Sequence, residues 1–141
     1  MAHLREQIVD ATVALLIAAN TAAGARVSGD RVNPHKKTGL AALAVYTRND
    51  PVNDAASSEM EVGHDLELKI TAWATPDAID DLADQVEVAM RADPYLGGLA
   101  SDVVFKGTAM ETIEKDGRSD PIVATAVLTY AVLYHIPLEP T

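Results

Sequence analysis

Residues 64–74 read His-Asp-Leu-Glu-Leu-Lys-Ile-Thr-Ala-Trp-Ala, and this stretch decides the fold class. Leu66, Leu68, Ile70 and Ala72 alternate with Glu67, Lys69, Thr71 and Trp73. A period of two, with one apolar and one largely polar face, marks a strand of a half-solvated antiparallel sheet. Trp73 falls on the polar face. Its ring either covers an apolar spot, lies under a loop or is covered by a partner, and it is a candidate partner-facing residue because aromatic anchors are common at interfaces.

Downstream of this strand, Thr75-Pro76-Asp77 is a helix start, with Thr as N-cap and Pro at the first helical position. Ile79, Leu82, Ala83, Val86 and Met90 then recur at helical spacing and predict a buried stripe. Asp77, Asp80, Asp81 and Asp84 fill the first turns, where the helix dipole favours negative charge. Asp93-Pro94 ends the helix, and Leu96-Gly97-Gly98-Leu99 is its exit loop. Residues 101–115 alternate weakly as a strand, and Asp116-Gly117 is a turn signal. Residues 122–135 form a final strand that is apolar on both faces, which predicts a strand that is central or covered on both sides.

Upstream, Leu4, Ile8, Ala11, Leu15 and Ala18, widened by Val9, Leu16 and Ala19, set the stripe of a first helix, ending between Asn20 and Gly24. Residues 25–33 predict a short strand, or two halves about Gly29, and residues 40–47 a compact apolar strand. Residues 48–63 are rich in Asp, Asn, Ser and Pro and predict a long exposed loop. The predicted order is α-β-β-β-α-β-β in one domain spanning residues 1–141. The expected class is α+β, a single antiparallel or mixed sheet with two helices packed on one face.

Composition narrows the chemistry. The chain has 141 residues, of which 48% are hydrophobic but only 4% aromatic, so Ala, Val, Leu and Ile must fill the core. It has no cysteine, which removes disulfides, thiolate nucleophiles, zinc ribbons and iron–sulfur clusters. The apolar run Ala11–Ala19 is too short to span a bilayer, and Glu6 and Asp10 stand where a signal peptide is basic, so the expectation is a cytoplasmic protein with no membrane partner.

The formal net charge is −10, which opposes gripping a nucleic-acid backbone. The charge is divided unevenly. Residues 1–50 carry six Lys/Arg against four Asp/Glu, and residues 51–141 carry five against seventeen. Arg26, Arg31, Lys36, Lys37 and Arg48 form a basic stretch with Asp30 opposing it. A subunit with one basic and one acidic region can attract a second copy head to tail, which makes these residues and Asp77, Asp80, Asp81 and Asp84 candidate inter-subunit contacts.

The search for a reaction centre finds little. His3, His35, His64 and His135 have no metal-ligand spacing, and the acids of the second helix lack the interleaved ligands of a calcium loop. Ser57, Ser58 and Ser101 lack nucleophile-elbow glycines, and no phosphate-loop pattern occurs. The expectation is no enzyme, no cofactor and no metal.

Several strings resemble the tail terminator, or tail completion, family of long-tailed bacteriophages and prophages. They are REQIVDATVALL (5–16) followed by the short ARV strand (25–27), LAALAVYT (40–47), DLELKITAWA (65–74), MRADPYLGGLASDV (90–103) and ATAVLTYAVLYH (124–135). Ala41 stands where many relatives have proline. The resemblance implies a structural virion protein. Such proteins form a ring, generally a hexamer, that caps the finished tail tube, stops its polymerisation and presents a surface to the head-side connector. The implied partners are further copies of the chain, the tail tube protein and the connector protein. DNA passes through the lumen without specific binding, which acidic walls would assist. The implied location is the head-proximal end of the tail, after assembly in the host cytoplasm. Two other readings stay open: another neck or head-completion protein of a phage, and a small-molecule-binding or enzymatic α+β domain.

Overall fold

The computed structural model describes residues 3–29, 41–113 and 123–137. It is an α+β fold with one mixed sheet and two helices on one face. The elements run α1 (Leu4–Ala18), β1 (Val27–Ser28), β2 (Ala42–Thr47), β3 (Val52–Asn53), β4 (Glu61–Ala74), α2 (Ile79–Ala92), β5 (Asp102–Ile113) and β6 (Val123–Pro137). The strand order is β1-β2-β4-β6-β5, with β3 paired to the first half of β4. All pairings are antiparallel except β1 with β2.

β4 and β6 form the central seam, with Leu66 opposite Val132, Leu68 opposite Tyr130 and Ile70 opposite Leu128. These six side chains point to the helices and are nearly or fully buried. The final strand is interior, paired with β4 on one side and β5 on the other; one face packs under α2 and the other is half-buried.

α2 buries Ile79, Leu82, Ala83, Val86 and Met90, the stripe read from the sequence, together with Ala89. Its start differs from the expectation. The Thr75 carbonyl accepts from the amides of Ala78 and Ile79, but regular helix begins only at Ile79, and its cap residue, Ala78, contributes no side-chain bond. Thr75 instead turns its hydroxyl to Asp77.

α1 is rotated from its predicted axis. Its buried line is Ile8, Thr12 and Leu16, whereas Leu4, Ala11 and Leu15 are half-buried and Ala18 is exposed. The helix is apolar nearly all round from Ala11 onward, so periodicity alone leaves its axis underdetermined. Thr12 reaches the buried line because its hydroxyl donates to the Ile8 carbonyl at 2.8 Å. The helix ends as expected, with Asn20 (φ 53°) and Gly24 (φ 57°) in left-handed conformation.

The predicted loop over residues 48–63 is largely ordered structure. β3, a 3-10 turn at Asp54–Ala56 and the first residues of β4 all fall within it. The polar residues that suggested a loop instead build the turn. Asn53 Oδ1 accepts from the Ala56 amide, Ser57 Oγ donates to the Asn53 carbonyl, and Ser57 Oγ accepts from the Gly63 amide. Gly63 is required by close approach: a Cβ there would lie 2.9 Å from Ala56 Cβ and 3.0 Å from its carbonyl oxygen. Of the predicted strand at 25–33, Val27–Ser28 is seen, and residues 30–33 lie outside the described residues, as does the 116–121 turn.

Candidate interaction surface

Of the charged residues singled out in the sequence, Arg26 and Arg48 and the acids of α2 are among the described residues. Arg26 precedes β1 and Arg48 follows β2, so the two bracket β2, roughly 20 Å apart at about 3.3 Å per residue. Both are exposed. The Arg26 guanidinium donates to the Ala41 carbonyl at 2.7 Å and ties the turn after α1 to the start of β2. Arg31, Lys36 and Lys37 lie outside the described residues. Asp77, Asp80, Asp81 and Asp84 are exposed at the start of α2, which lies over β4 and β6. The Asp77 carboxyl titrates below its ordinary range because the Thr75 side chain, and then its own backbone amide, bond its charged form.

Trp73 lies on the face opposite the helices, as the alternation required. Its ring packs with Ala42, Ala44 and Val123 and is 8% exposed. The small alanines of β2 make room for it, so little of the ring remains for another chain.

The structure brings together groups that lie far apart in sequence. At the end of the seam where β4 begins, His64 stacks on Tyr134, ring centroids 5.0 Å apart. The Tyr134 hydroxyl donates a short hydrogen bond to Asp50 Oδ2. Arg5 reaches the same oxygen at 3.1 Å, and His64 Nδ1 lies 3.4 Å from Asp50 Oδ1. Asp50 is nearly buried and Tyr134 fully so. Burial, and then the bond to Asp50, push the Tyr134 phenol far above its ordinary value. The cluster joins α1, the segment after β2, β4 and β6. Its groups are turned onto one another, an arrangement suited to fastening the Asn49–Pro51 segment to the sheet.

Beside it, Ser101 Oγ lies 3.0 Å from His135 Nδ1, and His135 Nε2 lies 3.1 Å from the Ala56 carbonyl. If Nε2 carries the proton, Nδ1 is left as an acceptor facing the Ser101 hydroxyl. His64 and His135 therefore do have partners, in segments distant along the chain. Spacing along the chain held no signal for them. Only the β4–β6 register, which sets His64 opposite Tyr134, could have found the first cluster.

Depressions also mark the described surface, among them one lined by Arg5, Glu6, Asp10 and Tyr46 and two beside the β4–β6–β5 strands. Of these two, one of about 670 Å³ opens between the Asn49–Pro51 segment and the strands and is lined by Asp65, Glu67, Lys106 and Thr129. The other, about 230 Å³, lies between α2 and β5. Among the described residues no three His, Asp or Glu side chains converge as metal ligands, and no helix is long and apolar enough to cross a membrane. No protein-family model matches the chain, and neither does any curated protein.

Proposed function

We propose that the chain is a subunit of a homo-oligomeric ring that caps a phage tail tube, stops its growth and presents the head-joining surface. The observation that carries this reading is the sheet itself. Among the described residues it is open at both edges, with the arginine-bracketed β1–β2 side at one edge and β5 at the other, where a pocket separates it from the acidic helix α2. Two unlike edges on one subunit suit a head-to-tail contact, which closes into a ring when the rotation permits. The resemblance of strings along nearly the whole chain supplies the particular assembly. On this reading the partners are further copies, the tube protein and the connector, with DNA passing through an acidic lumen.

An early nonsense codon in the parent phage tests it by negative-stain electron microscopy. Overlong headless tails support termination. Normal-length tails beside unattached heads indicate a head-completion protein instead, and intact virions overturn both.

A hydrolytic reading has one observation in its favour, the Ser101–His135–Ala56 carbonyl chain. Ser101 lines none of these depressions. Labelling of the wild type but not of Ser101→Ala by a fluorophosphonate probe would establish an activated serine; equal, absent labelling of both would dismiss it.

A further inference from the structure

The outer edge of β5 and the 230 Å³ pocket beneath it hold three features that the fold alone does not use. The first is the edge. β5 runs for twelve residues and, among the described residues, pairs only with β6. Its register shifts between Phe105 and Gly107, where Gly107 has a φ of 139°. Tyr95, Val104, Phe105 and Met110 are all left at least 40% exposed on or beside it. An unpaired edge is a template for another chain, and although β5 also carries exposed Lys106 and Glu111, its exposed Val104, Phe105 and Met110 leave apolar surface there.

The second is the pocket. Glu87, Met90, Arg91, Val103 and Phe105 wall it, and Tyr130 lies at its base. Tyr130 is 3% exposed, yet its hydroxyl has no hydrogen-bond partner among the described residues. Glu87 and Arg91 line the same pocket as Tyr130. Buried hydroxyls are normally bonded. A space of this size takes one side chain and falls below the usual range for small-molecule sites, about 300–1,000 Å³.

The third is charge. Helical spacing sets Asp80 and Asp84 on the same flank of α2 as Glu87. Two copies meeting β5 to β5 would press these acidic flanks together. The β1–β2 side, bracketed by Arg26 and Arg48, is complementary to them.

We propose that the β5 edge and the pocket form a strand-addition groove for a second copy of this chain. The incoming copy presents its arginine-bracketed β1–β2 side, its backbone pairs with β5, and one of its side chains enters the pocket and bonds the Tyr130 hydroxyl. This rests on the ring reading in taking copies of the chain as partners.

Sedimentation equilibrium of the purified full chain, from low to high micromolar and at low and high salt, tests it. The wild type is expected to self-associate, more weakly at high salt, with β5 amides exchanging more slowly as concentration rises. Phe105→Asp, and separately Val104→Lys, should remain folded by circular dichroism and lose the association. Tyr130→Phe should leave the melting temperature unchanged or raised and weaken association by about threefold to tenfold, the range of one net hydrogen bond. A wild type that stays monomeric with β5 exchange independent of concentration overturns the groove. So does association of either β5 variant at wild-type strength. Complementation separates the two readings. Overlong tails in the knockout, fully rescued by Phe105→Asp, would sink the groove and keep termination. Intact virions in the knockout would sink termination and leave the solution result standing.

Discussion

The middle of the β4–β6 seam and its Tyr134 end are built on opposite principles. In the middle, Leu68, Ile70 and Leu128 lie under the helices at 0% exposure, held by apolar burial without direction. At the end, Tyr134 and Arg5 are held to Asp50 by directional bonds, and His64 stacks on the Tyr134 ring. The lesson is a division of labour. Apolar burial supplies stability and tolerates small shifts, whereas the polar cluster fixes where one particular segment lies.

Substitutions should separate the two. Leu128→Ala removes a fully buried side chain from the middle and should cost about 2–5 kcal/mol in urea denaturation. Tyr134→Phe removes a hydrogen bond to a charged acceptor and should cost about 1.5–3 kcal/mol, with faster amide exchange confined to the Asn49–Pro51 segment. Equal costs together with global loosening would show that the end is part of the cooperative core and dissolve the distinction. Gly63→Ala drives a methyl into Ala56 beside the cluster and should cost about 1–3 kcal/mol through forced backbone shifts. Lys69→Ala is the control on the face opposite the helices. It loses a 3.0 Å bond to Thr129 and a 3.5 Å ion pair with Glu67, and should change stability by less than about 1 kcal/mol.

High pH sharpens the same comparison. Burial, then the Glu87 charge for Tyr130 and the bond to Asp50 for Tyr134, raise both phenols in the folded chain above the ordinary value near 10. A raised folded value means that stability is complete below pH 10 and declines as pH climbs from 10 toward the folded values, because the unfolded chain loses these protons first. Alkaline titration of the urea midpoint should show that decline, and the double substitution Tyr130→Phe with Tyr134→Phe should flatten it.

The middle of the seam was legible in the sequence. Alternation in residues 64–74 and the stripe Ile79 to Met90 are single-period signals, and both stand in the structure. The α1 axis was not legible, because a helix apolar on most sides offers several equivalent stripes. The β3 turn was hidden for a different reason. Asn53, Ser57 and Ser58 suit a disordered loop and an ordered turn equally well, and only their bonds to Ala56, Gly63 and Glu61 decide. The Asp50–His64–Tyr134 cluster and the Tyr130 pocket are products of register and packing. Asp50 and Tyr134 stand 84 positions apart, a separation no linear motif encodes.

The place of β6 carries a consequence for how the chain reaches this state. β5 and β6 can zip from Ile113 and Val123, ten positions apart, whereas β4 must find β6 across separations of 50 (Ala74 and Ala124) to 76 (Glu61 and Pro137). Local closure is fast and distant closure slow. The hairpin should therefore form early and wait with the β4-facing side of β6 unpaired. During that wait the strand that will become the centre of the sheet is itself an apolar edge, and captures by the wrong chain compete with completion of the fold.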